Sequence, residues 1–244
     1  MIDFHTHILP GIDDGAKDIA QSKSMIGLLA YQNINCAVCS PHFYPSQISL
    51  QEFLNKRDKA LLSLGKCEIS LVPGSETMLH SYLFHYPDIT RLCIENTRYL
   101  LLEMPFTPRW GSEIYAMIEK LITYHEITPI IVHIERYPVT IKSEKAIQKL
   151  IHMGCFIQIN TSFIINKKTR NKALKYMKDG YVDVLGSDCH NVDLRPPVFE
   201  EALSIIQQHL GQSYLEMIER NSNNIINGIN MRERRNFIVP PMQN

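Results

Sequence analysis

The sequence predicts an α/β protein built on a parallel sheet, and a closed or distorted barrel of seven strands is the leading architecture. Short strands rich in Val and Ile alternate with amphipathic helices, a pattern typical of parallel pairing with helical crossovers. The 244 residues, 45% of them hydrophobic, suit one domain of barrel size. An open doubly wound sheet is the alternative, since seven strands alone do not prove closure.

The elements follow from hydrophobic periodicity along the chain. The predicted strands are Ile2–His5, Cys36–Ser40, Ile69–Pro73, Tyr99–Glu103, Ile130–Ile134, Phe156–Asn160 and Val182–Gly186. The predicted helices are Ile19–Gln32, Leu50–Leu64, Ser112–His125, Glu144–Met153, Lys168–Lys178, Val198–His209 and Tyr214–Arg220.

No linker rich in Pro, Gly or Ser divides the chain, so residues 1–227 are predicted to form a single domain. Residues 228–244 are polar and then proline-bearing, and we expect a loosely held tail there. Its basic residues either stay solvated or contact an acidic partner.

Charge and composition indicate in which cellular compartment the protein acts and which classes of partner it binds. Lys+Arg and Asp+Glu both number 25, so no charge excess favours nucleic acid or an anionic membrane. No apolar run has the length of a spanning helix, and six scattered cysteines resemble reduced thiols more than a disulfide scaffold. These observations predict a cytoplasmic protein that is not embedded in a membrane, and they leave the oligomeric state open.

Histidines and carboxylates lie at or just beyond the carboxyl ends of the predicted strands. His5 and His7 close the first strand and project to the same side, so both imidazoles can reach one cation. The later strands supply His42, Glu76, Glu103, His133, Asp188 and His190. Because these strand ends meet at one rim of a parallel barrel, we expect the side chains to converge. Only the sixth strand, which ends at Asn160, offers no strong ligand.

The predicted ligands are nitrogen and oxygen atoms without thiolate, a set that suits Mn, Fe or Zn. They are too many for one ion. The sequence therefore predicts two or three divalent ions, with a carboxylate such as Glu103 as a bridge.

Several short motifs resemble the polymerase and histidinol phosphatase (PHP) family. They are His5-Thr6-His7, Ile12-Asp13-Asp14-Gly15, Pro41-His42, Gly74-Ser75-Glu76, Leu102-Glu103, Val132-His133-Ile134-Glu135-Arg136-Tyr137, Ser187-Asp188-Cys189-His190-Asn191 and Arg195-Pro196-Pro197. Within the family they are most similar to bacterial metal-dependent protein-tyrosine phosphatases encoded with capsule and exopolysaccharide machinery.

The resemblance implies a distorted seven-stranded barrel of the PHP type with a trinuclear site. Manganese is the first expectation, with iron, zinc or magnesium as alternatives. The metal ligands that it implies are His5, His7, Asp14, His42, Glu76, Glu103, His133, Asp188 and His190. Asp13 is an alternative to Asp14. Arg136 and Arg195 match the family's phosphate-contacting arginines, and the alternative for each is a surface salt bridge.

The resemblance implies hydrolysis of phosphotyrosine by a metal-activated hydroxide, on a tyrosine kinase of polysaccharide export. Arg136 and Arg195 would then hold the phosphate oxygens. A histidinol-phosphate or other small-molecule phosphatase is one alternative, and a non-catalytic metal-containing regulatory partner is another. A thiolate route is also open to test, because Cys189 and Arg195 have the Cys-x5-Arg spacing. That loop lacks glycine and carries Asp193, so we expect no thiolate catalysis.

Overall fold

Nine β-strands form two sheets within residues 1–231, the part of the chain that the computed structural model describes. The strands are β1 (Ile2–Thr6), β2 (Cys36–Cys39), β3 (His42–Phe43), β4 (Ser70–Pro73), β5 (Glu76–Met78), β6 (Tyr99–Glu103), β7 (Thr128–Ile131), β8 (Phe156–Asn160) and β9 (Val184–Gly186). One sheet has the order β1-β2-β4 and the other the order β3-β5-β6-β7-β8-β9. Every assigned pair is parallel, as the alternation of strands and helices predicted.

Nine α-helices accompany the strands in the described residues. They are α1 (Ile19–Tyr31), α2 (Leu50–Ser63), α3 (Ser112–Thr123), α4 (Pro138–Lys142), α5 (Lys145–His152), α6 (Thr161–Ile165), α7 (Arg170–Lys178), α8 (Glu200–Leu210) and α9 (Gln212–Ile226). Asp18 and Ser49 cap α1 and α2 by accepting hydrogen bonds from backbone N–H groups of the first turn. None of the helices in residues 1–231 combines the length and the apolar character that crossing a bilayer requires.

The two sheets curl toward each other. Only two residues separate β2 from β3, and only two separate β4 from β5. At both places the chain therefore passes directly from the three-stranded sheet into the six-stranded sheet. Beyond β9, the backbone N–H of Asp188 donates to the carbonyl of His5 at 2.8 Å, and that of His7 donates to the carbonyl of Cys189 at 2.9 Å. The result is a mixed α/β fold around a curled parallel sheet.

Alternate residues of the strands enter two separate apolar clusters. In β6, Tyr99 and Leu101 join a small cluster with Phe4 and Phe156, whereas Leu100 packs in the larger cluster that covers the helices. Because side chains alternate along a strand, Glu103 lies on the same face as Tyr99 and Leu101. The small cluster therefore forms a floor beneath the carboxyl ends of the strands.

The second and third predicted strands agree with β2 and β4 within one residue, and the fifth predicted strand needed correction. The structure adds two short strands that the sequence analysis missed, β3 and β5, which contain His42 and Glu76. The fifth ends at Ile131, because His133 adopts a left-handed conformation with φ of 33° and a short 3-10 helix begins at Ile134.

Helix predictions were wrong at three places. The sequence analysis missed α4 and α6, which have five residues each. The last helix extends to Ile226 rather than Arg220, although its final turns contain asparagines. Ile218 and Ile225 are buried there, and packing of this kind overrides weak helix propensity.

The predicted tail begins with residues that are held in place. Tyr99 Oη donates to the carbonyl of Ile229 at 2.7 Å, and the N–H of Met231 donates to Tyr99 Oη at 3.1 Å. The side chain of Met231 is buried. The rest of the predicted tail, 232–244, lies outside the described residues.

Candidate metal centre

Glu76 lies at the middle of a group of buried imidazoles at the carboxyl ends of the strands. Its Oε2 atom is 3.1 Å from His5 Nε2, 3.2 Å from His7 Nε2 and 3.0 Å from His42 Nδ1. Its Oε1 atom is 2.7 Å from His133 Nε2. Four histidines from three parts of the chain therefore meet at a single carboxylate.

His5 and His7 reach this point together, as their spacing predicted. Their Nε2 atoms are 3.1 Å apart, and Asp188 Oδ1 lies 3.5 Å from that of His7 and 3.7 Å from that of His5. The pairing of β1 with β2 is irregular between Asp3 and Thr6, which lets Phe4 join the floor while His5 faces the site.

A second group of ligand atoms lies around Asp14 at the edge of the site. Asp14 Oδ1 is 3.5 Å from His42 Nε2 and 3.4 Å from His190 Nε2. His190 Nδ1 lies 2.9 Å from the carbonyl oxygen of Asp188, so it donates there and leaves Nε2 for the site. Three groupings of His, Asp and Glu are close enough to hold an ion: His7, Asp14, His42 and His190; His5, His7 and Glu76; and His42, Glu76 and Glu103.

Asp13, the neighbour of Asp14, contacts the outer nitrogen of His7. Asp13 Oδ2 lies 2.8 Å from His7 Nδ1 and accepts a hydrogen bond from the backbone N–H of His42 at 3.0 Å. Gly15 makes this approach possible, because a Cβ atom there would overlap the backbone and side chain of His7. A carboxylate on the outer nitrogen of a histidine orients the inner nitrogen toward a metal.

Unpaired buried polar atoms test whether the residues fit a metal. Within the described residues, buried side-chain atoms at the centre form no hydrogen bond: His42 Nδ1, Glu76 Oε2, Glu103 Oε2, His133 Nδ1 and His190 Nε2. Leaving such atoms unpaired in a fold is costly. The nitrogen and oxygen set fits divalent cations, which would satisfy these atoms together.

The carboxylates of the centre differ in their electrostatic surroundings. Burial alone would raise the pKa of Glu76, but the imidazoles of His5 and His133 outweigh burial and lower it well below its ordinary value. Burial and the nearby charge of Glu76 raise the pKa of Glu103 to about 8. A cation between the two carboxylates would remove that repulsion and hold both ionised.

Two arginines border the centre and share one acceptor. Asp188 Oδ2 lies 3.1 Å from Arg136 Nη1 and 2.8 Å from Arg195 Nη2, and Asn160 Nδ2 donates to it at 2.9 Å. Both guanidinium groups are partly exposed and line a cavity of about 680 Å³. They can therefore accept a ligand from solvent while one carboxylate anchors them.

Aromatic side chains stand at the rim. Phe106, 45% exposed, lies with its ring centroid 5.5 Å from the guanidinium carbon of Arg136 and 4.9 Å from the ring of Tyr137. On the opposite side Tyr44 stacks on His42 at 5.1 Å. These rings offer apolar surface beside the polar centre.

The structure brings every predicted ligand to one rim, and it adds residues that the sequence analysis did not assign. Gln158 and Asn160, set aside because the sixth strand offers no strong ligand, hydrogen-bond to residues of the centre. The signal that places them on the site face is their spacing of two and four residues from Phe156, because they alternate with Ile157 and Ile159 of the larger apolar cluster.

These features define an α/β protein with a candidate polynuclear metal centre at the rim of a curled parallel sheet. The chain belongs to the family described as capsular polysaccharide synthesis, CpsB/CapC, whose profile matches residues 1–227. This membership confirms the resemblance that the motifs indicated.

The curated relatives of the chain include tyrosine-protein phosphatases. The tyrosine-protein phosphatase CpsB of Streptococcus pneumoniae is 29% identical over 228 residues, which are 86% of this chain and 91% of the relative. The tyrosine-protein phosphatase YwqE of Bacillus subtilis is 26% identical over 254 residues, 99% of this chain and 95% of the relative.

The fold is similar to a solved structure from the report on YwqE of Bacillus subtilis and CpsB of Streptococcus pneumoniae, described there as unique metal-dependent tyrosine phosphatases. The TM-score is 0.81 at 24% sequence identity, with 94% of this chain and 96% of the other covered.

Proposed function

We propose that this protein is a metal-dependent protein-tyrosine phosphatase that acts on a phosphorylated tyrosine kinase of capsule or exopolysaccharide synthesis. The convergence of His5, His7, His42 and His133 on Glu76, with two arginines beside them, carries this proposal. Family membership and the curated phosphatase relatives support the substrate class.

We propose two to three divalent ions, with manganese first, held by the nine predicted residues. The three groupings of ligand atoms support this number, and Glu76 belongs to two of them. Asp14 faces the site directly, whereas Asp13 contacts the outer nitrogen of His7. We therefore assign Asp14 as the ligand and Asp13 as the residue that orients His7.

The chain's own residues would bind and orient the substrate. Arg136 and Arg195 would hold the non-bridging phosphate oxygens, and Asp188 fixes both guanidinium groups before the substrate arrives. Bound divalent ions would neutralise phosphate charge and lower the pKa of a water near phosphorus. Tyrosinate, with an ordinary pKa of about 10, is a good leaving group, so we assign no general acid.

The thiolate route finds no support at Cys189. The side chain is buried, and burial raises the pKa of its thiol above the ordinary value. A reactive thiolate requires the opposite shift.

We also propose that the two sheets make up a distorted seven-stranded barrel of the PHP type, formed by residues 1–227. In this reading β2 with β3, and β4 with β5, count as two interrupted strands. The bridge between Thr6 and Cys189 supports contact between the first and last strands. We place the protein in the cytoplasm, a location that its six cysteines, scattered along the sequence, support.

The test is turnover of p-nitrophenyl phosphate and a phosphotyrosine peptide with Mn²⁺, before and after a chelator. We expect activity to disappear on chelation and to return with Mn²⁺. Activity that survives complete metal removal would refute the proposal.

The same assay separates the alternatives. A higher kcat/KM for histidinol phosphate than for the phosphotyrosine peptide would indicate a small-molecule phosphatase. Binding of Mn²⁺ without turnover of any phosphate ester would indicate a non-catalytic regulatory partner.

A further inference from the structure

Gln158 and Asn160 of β8 form a buried chain of amide hydrogen bonds behind the candidate metal centre. Gln158 Oε1 accepts from the backbone N–H of His133 at 2.7 Å and lies 3.4 Å from His5 Nδ1. Gln158 Nε2 donates to Asn160 Oδ1 at 2.9 Å, and Asn160 Nδ2 donates to Asp188 Oδ2 at 2.9 Å. Both side chains are buried, at 0% and 5% exposure.

The direction of this chain is fixed at one end. A backbone N–H can only donate, so the atom of Gln158 that faces His133 must be the amide oxygen. The amide nitrogen then faces Asn160, which must present its own oxygen to Gln158 and its own nitrogen to Asp188. If either side-chain amide were rotated by 180°, two donors or two acceptors would face each other.

This direction determines the state of His5. Because Gln158 Oε1 is an acceptor, His5 Nδ1 must carry a hydrogen to bond with it. In the neutral ring the lone pair then lies on Nε2, the nitrogen that faces the centre 3.1 Å from Glu76 Oε2, where it is available to a cation. Gly186 keeps the two side chains close, since a Cβ atom there would lie 2.6 Å from His5 Cβ and 2.7 Å from Gln158 Nε2.

The other end determines the orientation of Asp188. Three donors, from Asn160, Arg136 and Arg195, converge on Asp188 Oδ2. Asp188 Oδ1 is therefore left to face His5 and His7. Asn160 is the buried donor of the three, whereas the side chains of Arg136 and Arg195 are partly exposed.

We propose that Gln158 and Asn160 are positioning residues that set the tautomer of His5 and the orientation of Asp188 for metal binding. The inference rests on the proposed metal-dependent function. It assigns a role to β8, the sixth predicted strand, which supplies no strong metal ligand. Neither residue contacts the substrate in this account.

Gln158→Met tests the chain, because it keeps the length of the side chain and removes both the acceptor for His5 Nδ1 and the donor to Asn160. We expect Mn²⁺ affinity, measured by calorimetry on the metal-free full chain, to fall about 10- to 100-fold, the usual effect of losing an outer contact to a metal ligand. Gln51→Met on the exposed face of α2 is the matched control and should bind Mn²⁺ like the wild type.

Asn160→Ala is the second variant and decides the test if Gln158→Met does not fold. It leaves the bond between Gln158 and His133 intact and removes the donor to Asp188 together with the acceptor for Gln158 Nε2. We expect Mn²⁺ affinity to fall about tenfold or more. A melting temperature that falls while the Kd for Mn²⁺ stays within about twofold of the wild type would show a merely structural role and overturn the inference.

Because Mn²⁺ affinity is measured separately from turnover, a failure of this inference can be distinguished from a failure of the proposed function. Weaker Mn²⁺ binding in both variants supports the positioning role even if the wild type hydrolyses no phosphotyrosine. Loss of turnover with unchanged Mn²⁺ binding contradicts it.

Discussion

Glu76 Oε2 lies 3.0 Å from His42 Nδ1, and the two atoms form no hydrogen bond with each other. The same oxygen lies 3.1 Å from His5 Nε2 and 3.2 Å from His7 Nε2. Such proximity without directed hydrogen bonds is the geometry of side chains that point at a shared cation rather than at one another. The balance of charge at this rim, and the chemistry proposed for it, follow from this relationship.

Glu76→Gln should remove the central anionic ligand while keeping its shape. Because Glu76 belongs to two of the three ligand groupings, we expect Mn²⁺ content to drop and kcat/KM for p-nitrophenyl phosphate to fall by about 100-fold or more. Metal analysis after desalting and steady-state kinetics would measure both. Glu119→Gln, on the exposed face of α3, is the control. Full activity of Glu76→Gln with a normal metal content would contradict the assignment.

Arg136→Lys keeps the positive charge and removes the planar fork that can bind two phosphate oxygens. We expect kcat/KM for a phosphotyrosine peptide to fall about 10- to 100-fold, with weaker inhibition by inorganic phosphate. Mn²⁺ content should stay unchanged, since Arg136 contacts Asp188 through its outer oxygen only. Arg91→Lys, at an exposed position remote from the centre, should have no effect. An equal loss of kcat/KM in Arg136→Lys and Arg91→Lys would contradict a phosphate-binding role for Arg136.

Cys189→Ser separates the metal route from thiolate chemistry. The thiol is buried and its pKa is raised, so we expect activity to stay within about threefold of the wild type. The buried hydroxyl would lower the free energy of unfolding by about 1–3 kcal/mol. Kinetics on the folded, metal-loaded variant measure the first effect and thermal unfolding the second. Abolished turnover in that preparation would favour a cysteinyl-phosphate intermediate instead.

Mn²⁺ binding should weaken as the pH falls. Burial alone would lower the pKa of His5, but Glu76 and Asp188 outweigh it and raise the pKa; for His7 the hydrogen bond with Asp13 has the same effect. In the metal-free protein these rings therefore keep their protons to a higher pH than an ordinary imidazole, and a metal must displace these protons.

We expect the Kd for Mn²⁺ to rise at least about tenfold between roughly pH 8 and pH 6. Calorimetry in buffers of different ionisation enthalpy should detect proton release. The sign for the metal-free fold is opposite: these raised pKa values contribute stability below the ordinary histidine pKa, and that stability is lost as the pH rises through the raised values. Equal Kd values at both pH values without proton release would contradict this prediction.

The strand-end pattern predicted the convergence of these side chains because it depends on topology. Parallel strands bring their carboxyl ends to one rim, so the eight residues assigned to strand ends meet there whether or not each boundary is right. His42 and Glu76 illustrate this, since both lie in extra short strands and still reach the site.

The remaining features depend on contacts between distant segments. The left-handed conformation of His133 lets its backbone N–H donate to Gln158, and the hydrophobic periodicity of the sequence does not predict that hydrogen bond. Strands of two or three residues, such as β3 and β5, are too short to show alternation. The separate roles of Asp13 and Asp14 likewise appear only when His7 and His190 are in place.

Crystals of the full chain grown with Mn²⁺ and phosphate, with diffraction data collected at the manganese edge, test the central claim most directly. We expect anomalous peaks among His5, His7, His42, Glu76 and Glu103, with phosphate held by the two arginines. Phosphate bound at the arginines with no anomalous peak at these side chains, in crystals that contain ample Mn²⁺, would contradict the account.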